Sequence, residues 1–450
     1  MNIKAILKIV RQAKDLDIID LNYYYSSEQL GIIGTRFQPV RYGKSLRIFF
    51  KAVGFCASFI KQAFIYITLP RNTRVTEEIL FFFTTINQKR ALSPVYDKLP
   101  NALCVDEPAR FFPLLKIYLF SLPFVARTFS HFFRSGGYIR DSFLLFFTDY
   151  LCIYGQYVVY RLFFLRNSVK VLVVANDHSP ECTTIAKAAR DEGITTVYIQ
   201  HSSVSEIFPP LKFDYALLEG LDALQKYDSR GASPTKVFLI GIPKADAFLN
   251  DINTRTKLNT LGVCTNPLDP VEKIEELVRT IRTAFPDMDI IFRPHPGDIK
   301  DAWRDIATAN RLEYSDPLAE TSFDYLKKID ALVVGNSNII LEAVLMNVYP
   351  IYYNVTEFED YYGFCRNGLV DAAPESPEEA VENIRALLNE RPNVRSRARS
   401  YCDTLETEYD GTSAELGAAI ISQLYDGAAD TSSWRPIADL NNLEAYRLPR

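Results

Sequence analysis

The sequence predicts an α/β protein in which two doubly wound, Rossmann-like halves follow one another and face a cleft, behind an aromatic-rich, largely helical N-terminal region. Three observations predict it. Short β-branched or aromatic runs alternate with helical periodicity from residue 166 to 425, the pattern of parallel βαβ units. Three of only four histidines, His178, His201 and His295, stand just past such runs, where open α/β sheets present their ligand-binding loops. A length of 450 residues with 48% hydrophobic and 23% charged content suits roughly two or three globular units with large cores.

Residues 1–165 form the first expected region. Aromatic and basic side chains recur in it, as in Phe49-Phe50-Lys51, Phe81-Phe82-Phe83, Arg110-Phe111-Phe112, His131-Phe132-Phe133-Arg134 and Leu144-Leu145-Phe146-Phe147. Helical spacing dominates, broken by Pro70, Pro94, Pro100, Pro108, Pro113 and Pro123. Residues 1–170 hold 23 Lys and Arg against 11 Asp and Glu, a balance of +12, while the remainder carries −17. That asymmetry points the first part toward an anionic partner such as a membrane surface, a lipid-linked phosphate or nucleic acid, and a peripheral membrane face would set its aromatic and cationic side chains at the headgroup level. The plainer reading is a packed helical layer with solvated basic faces. Residues 142–165 come nearest to a membrane span, yet Asp149, Gln156 and Arg161 fall within them. Charges at bilayer depth cost about 2.5–3.5 kcal/mol each, so a buried or interfacial helix is expected. The amphipathic opening has no secretory pattern, and seven scattered cysteines contain no CxxC pair. A cytoplasmic protein, peripheral at the inner membrane, is expected, with neither disulfides nor zinc.

Residues 166–250 read as the first Rossmann-like half. Strands are expected at 169–174, Thr195–Ile199, Tyr215–Leu218 and 237–240, with a helix at 183–192. Residues 251–425 read as the second Rossmann-like half, with strands at 261–264, 290–292, 312–314, Ala331–Val334 and 349–353. Pro270 opens a periodic helix over Val271–Ala284, and another helix follows Ser413. The tail 426–450 is expected to be irregular.

Two motifs carry the donor-side chemistry. In Arg293-Pro294-His295-Pro296 two prolines stiffen a loop directly after a strand. Arg293 offers a planar fork to a phosphate or to an internal carboxylate, and His295 can donate to a phosphate or a pyrimidine carbonyl. A structural cis-proline turn is the alternative. In Gly335-Asn336-Ser337-Asn338 a strand runs through small polar residues into a helix whose positive end suits a phosphate, with Ser337 adding a hydroxyl. Glu342 lies near enough to accept from ribose hydroxyls. An ordinary helix cap would use the same residues. On the acceptor side, Asp177 or His201 can act as general base, although Asp177 also suits a helix cap. No P-loop, GxGxxG, HExxH or GxSxG motif occurs, and Asp287-Met288-Asp289 precedes a strand, so no metal ligand is expected.

These motifs resemble those of GT-B glycosyltransferases of bacterial surface-polysaccharide assembly. Arg293-Pro294-His295-Pro296 is similar to the HP motif with which sialyl-, polysialyl- and Kdo-transferases hold the CMP of their donor, and Asn336-Ser337 to their phosphate-facing hydroxyl pair. Val197-Tyr198-Ile199-Gln200-His201, the run from Phe208 to Tyr215 and Gly241-Ile242-Pro243-Lys244-Ala245-Asp246 look like stretches of CDP-glycerol glycerophosphotransferases. The resemblance covers residues 166–425 and implies donor-side roles for Arg293, His295, Pro296, Asn336, Ser337, Asn338 and Glu342. The acid-acid-Gly motif of polysialyltransferases survives only as Glu219-Gly220 after Leu218, whereas the glycerophosphotransferase pattern favours His201 as base. The implied activity is metal-independent, inverting transfer of a nonulosonate such as Kdo or a sialic acid-like sugar from a CMP donor to a glycan or lipid-linked glycan, with no separate cofactor. Alternatives are polyol-phosphate transfer from a CDP donor, nucleotide-sugar 2-epimerisation, and a non-catalytic scaffold of a capsule assembly complex.

Overall fold

The computed structural model describes residues 3–30, 54, 57–66, 74–298, 300–356 and 360–449. The Phe49-Phe50-Lys51 run, Cys56 and Pro70 lie outside these residues.

Among the described residues thirteen strands make two sheets. In chain order they are β1 (Ile79–Phe82), β2 (Ala102–Val105), β3 (Val171–Val174), β4 (Thr195–Ile199), β5 (Tyr215–Leu218), β6 (Lys236–Leu239), β7 (Thr260–Cys264), β8 (Asp289–Arg293), β9 (Glu313–Tyr314), β10 (Ala331–Val334), β11 (Tyr349–Tyr352), β12 (Arg435–Pro436) and β13 (Glu444–Arg447). The first sheet has the order β12-β13-β6-β5-β4-β3-β1-β2 and the second β11-β10-β7-β8-β9. Every pairing is parallel except the terminal β12–β13 hairpin. Strands such as Val171–Val174 and Ala331–Val334 are apolar and buried throughout, as strands covered by helices on both faces must be.

The expected boundaries at 165 and 426 need correction. Phe81-Phe82-Phe83 is strand and edge of strand: Phe81 and Phe83 enter the core cluster on one face of the sheet, Phe82 that on the other. Three consecutive aromatics carry no period that separates strand from helix, and pairing with β3 decides the matter. The tail adds β13 beside β6, burying Trp434, Ala445 and Leu448. The helix Ser413–Asp426 also returns to the first half, where Ala418, Ile421 and Leu424 pack with Phe81 and Val173. The first half therefore draws on residues from both chain ends.

Gly137–Phe164 is the one described helix long and apolar enough to cross a membrane, and 67% of its most apolar window is buried inside the protein. It kinks at Phe146 and packs against the helices Leu114–Ser121 and Pro180–Asp191. Two of its polar groups are satisfied internally, with Arg161 paired to Glu192 and Tyr157 donating to Asp191. At Gly155 the helices meet so closely that a Cβ would overlap the Ile117 carbonyl and the Ser121 hydroxyl. Replacing Gly155 by Ala should therefore lower stability by about 1–3 kcal/mol through overpacking, read as a lower denaturant midpoint. An unchanged midpoint would mean that the two helices can part there without cost.

Candidate functional site

A cavity of about 1280 Å³ lies between the two sheets, outside the carboxyl ends of β4, β6, β7, β8 and β10. This is where open α/β sheets hold ligands. His201, Lys244, Thr265, His295, Ser337 and Glu342 share its wall.

The loop after β8 is stiff without a cis peptide, since none occurs among the described residues. The His295 backbone N–H donates to Thr265 Oγ1 (3.2 Å), and His295 Nδ1 accepts from the Gly297 N–H (3.0 Å). An accepting Nδ1 places the neutral ring's proton on Nε2, so His295 is set up as a donor. Pro296 lines the cavity beside it. Arg293, in contrast, is only 4% exposed, and its Nη1 donates to Ser315 Oγ (2.7 Å) and its Nη2 to the Glu320 carbonyl (3.0 Å). Its guanidinium also lies over the Tyr325 ring, 5.4 Å from the centroid. The expectation that this fork meets a phosphate is corrected: a buried guanidinium needs partners inside the protein, and Arg293 ties β8 to the 315–320 segment.

The turn after β10 divides its labour. Asn336 Oδ1 accepts from Tyr352 Oη (2.6 Å) and from the Tyr361 N–H (3.0 Å). Asn338 Oδ1 accepts from the Ser203 N–H of the other half (2.8 Å), so it bridges the domains instead of capping the helix Ile339–Leu345. Both asparagines line the cavity as expected, with their Oδ1 atoms committed to the protein. Ser337 Oγ makes no hydrogen bond among the described residues and lines the cavity. Glu342 is buried and accepts from Lys244 Nζ at 2.6 Å.

Lys244 is the residue that sequence reasoning missed. It follows β6 in Gly241-Ile242-Pro243-Lys244, a strand end as informative as the one at His295. Burial works against its charge, but Glu342 and Glu219 outweigh that and raise its pKa. Glu219 stands behind it, accepting from Gln200 Nε2 (3.0 Å). Burial, opposed by Lys244 and reinforced by Glu342 and Asp222, pushes the Glu219 carboxyl up to about 8.

The two proposed bases separate. Asp177 is 3% exposed and off the cavity wall, with its oxygens accepting from His178 Nδ1 (2.7 Å) and Tyr227 Oη (2.7 Å). It orients His178 and is closed to an acceptor hydroxyl. It caps no helix either, because Ser179 precedes the helix Pro180–Asp191. His201 lines the cavity, and its Nδ1 is buried without a hydrogen-bond partner. Burial first, then the positive potential of His178 and Lys244, pushes its pKa down to about 4, so the ring is neutral near pH 7. Among the described residues no cluster of His, Cys, Asp or Glu could hold a metal ion.

No protein-family model and no curated protein sequence matches the chain. Among solved structures it is similar to a candidate UDP-N-acetylglucosamine 2-epimerase from Listeria monocytogenes, at 14% identity and a TM-score of 0.53, over 78% of this chain and 97% of that one. A UDP-GlcNAc 2-epimerase from Neisseria meningitidis bound to UDP-GlcNAc matches at 11% identity and a TM-score of 0.51, over 78% of this chain and all of that one. At such identities the likeness shows the fold alone, the GT-B arrangement of two Rossmann-like halves.

Glu219 and His201 have opposite effects on stability. Glu219, raised from 4.5 to about 8, stabilises the fold at low pH, and that contribution is lost as pH rises through this window. His201, lowered from 6.5 to about 4, costs stability as pH falls through its own window. Replacing Glu219 by Gln should flatten the loss between pH 4.5 and 8 while leaving the acid limb set by His201, as read from thermal midpoints against pH. Parallel profiles for both proteins would rule out a proton held at Glu219.

Proposed function

We propose that this protein is an inverting, metal-independent glycosyltransferase that moves a nonulosonate-type sugar from a CMP-activated donor to a surface glycan acceptor. The observation that carries the reading is the convergence of two donors from separate loops, His295 Nε2–H and the free Ser337 hydroxyl, on one cavity wall with the Lys244 ammonium. As the bond between the anomeric carbon and the phosphate oxygen breaks, CMP leaves with the electron pair. Donors fixed in place before that charge appears are the largest source of rate enhancement in such sites. The acceptor hydroxyl supplies the new bond to the anomeric carbon, and its proton passes to the His201 imidazole on the cavity wall. A group with so low a pKa takes that proton late, after the attacking oxygen has become acidic. The cytidylate assignment rests on the likeness of Arg293-Pro294-His295-Pro296 to the HP loop, with Arg293 as the residue that holds the loop and His295 as the one that donates.

The +12 balance of residues 1–170 fits an anionic membrane surface as second partner. On the helix Val125–Arg134, Phe129 and Phe133 are 43% and 69% exposed beside the exposed cations Arg127 and Arg134. Leu119 and Leu122 are exposed apolar side chains of the same segment. Aromatic rings beside cations suit the headgroup layer.

His295→Ala and Ser337→Ala should each reduce turnover by about 10²–10³-fold, as the loss of one oxyanion donor does, while unfolding stays cooperative. Near-normal turnover in both would remove the site. Calorimetry should rank CMP above UMP, and product mass separates sugar transfer from polyol-phosphate transfer, since both release CMP. Sedimentation with phosphatidylglycerol vesicles should show binding that weakens with salt and with Phe133→Ser. Absent or salt-indifferent binding would contradict the membrane partner.

A further inference from the structure

Past Lys244 the cavity acquires a second wall, the helix Ile86–Tyr96, which packs against the 3-10 turn Pro243–Phe248 that carries the lysine. Asn87, Arg90, Ser93 and Pro94, with Asp97 just beyond the helix, line the cavity. Their spacing of three and four puts them on one face. Leu92 and Val95 fall on the opposite face and are buried among the residues that pack on β1 and β3. The helix is pinned at its start, where Thr85 accepts from the Gln88 N–H (3.3 Å) and Gln88 Oε1 accepts from the Thr84 N–H (2.8 Å). Arg90 is therefore held on a rigid support.

The cations of the cavity wall are not equivalent. Lys244 pairs with Glu342, Lys98 with Glu415, and Arg293 is held by Ser315 and Glu320. Arg90 is half-buried and has no ion pair or hydrogen bond from its side chain among the described residues. The nearest acid on its face, Asp97, is exposed. An uncompensated guanidinium on a concave wall offers a forked donor to a carboxylate or a phosphate.

We infer that this wall is the acceptor subsite and that Arg90 selects an acceptor carrying an anionic group, a sugar carboxylate or a phosphate. The inference rests on the reading that the opposite wall holds the donor nucleotide. The full chain, saturated with CMP, is titrated with trigalacturonate, glycerol 3-phosphate and neutral maltotriose, for wild type, Arg90→Gln and Arg90→Lys. Wild type should prefer one of the charged probes over maltotriose by about tenfold or more, the scale of a charge-assisted hydrogen bond. The probe preferred tells carboxylate from phosphate. Arg90→Gln should erase the preference and Arg90→Lys restore part of it, with CMP affinity unchanged in both. Equal binding of charged and neutral probes by wild type, or a wild-type preference in Arg90→Gln, overturns the inference. Arg90-dependent anion binding without any CMP binding would instead sink the donor reading and leave the anion subsite standing.

Discussion

The cavity depends on a buried ion pair between its two halves. Lys244 follows the last parallel strand contributed by the middle of the chain to the first sheet, and Glu342 lies on the helix after β10 of the second; their 2.6 Å contact joins the halves across the wall. Removing two charges from water is costly unless geometry and neighbours compensate. Here Glu219 holds its proton near neutrality, so it does not add a second full negative charge to the cluster. Nearby, Asn338 accepts from the Ser203 N–H. These two links fix how far His201 stands from Ser337 and His295, and so set the space in which a donor and an acceptor can meet.

The same constraint explains why the polar residues of the two ligand loops differ in role. A turn that must bridge domains has to commit some of its side chains to the protein. Asn336 and Asn338 do this, which leaves Ser337 between them as the hydroxyl presented to the cavity. After β8 the division is similar, with Arg293 directed inward to Ser315 and Glu320 while His295, fixed through Gly297 and Thr265, faces the cavity. Asp177 follows this logic on the first sheet. Its carboxylate is closed off by His178 and Tyr227, whereas the His201 ring lines the cavity with an Nδ1 that is buried and has no hydrogen-bond partner.

The N-terminal segment has three jobs that its composition blends together. Phe81 to Phe83 belong to the sheet core, Phe129 and Phe133 to the surface, and the helix Ile86–Tyr96 to the cavity wall. A count of aromatics and cations sees one basic, aromatic region, because it cannot separate a ring buried in a sheet from one in solvent.

Sequence alone determined the α/β class, nearly all strands of residues 166–425 and the loops that meet at the cavity, because β-branched runs, helical periodicity and prolines act over a few residues. His201, His295 and Ser337 were legible for that reason. Only the tertiary structure decided that β1, β2 and the C-terminal β13 complete the first sheet, that Arg293, Asn336 and Asn338 on the cavity wall hydrogen-bond to the protein, that Asp177 is sealed, and that Lys244 stands against Glu342. Those outcomes are set by contacts between residues far apart in the chain, as when Lys244 meets Glu342 or Ser203 meets Asn338. Which partner a polar side chain finds follows from how the two sheets pack, and no local pattern encodes that.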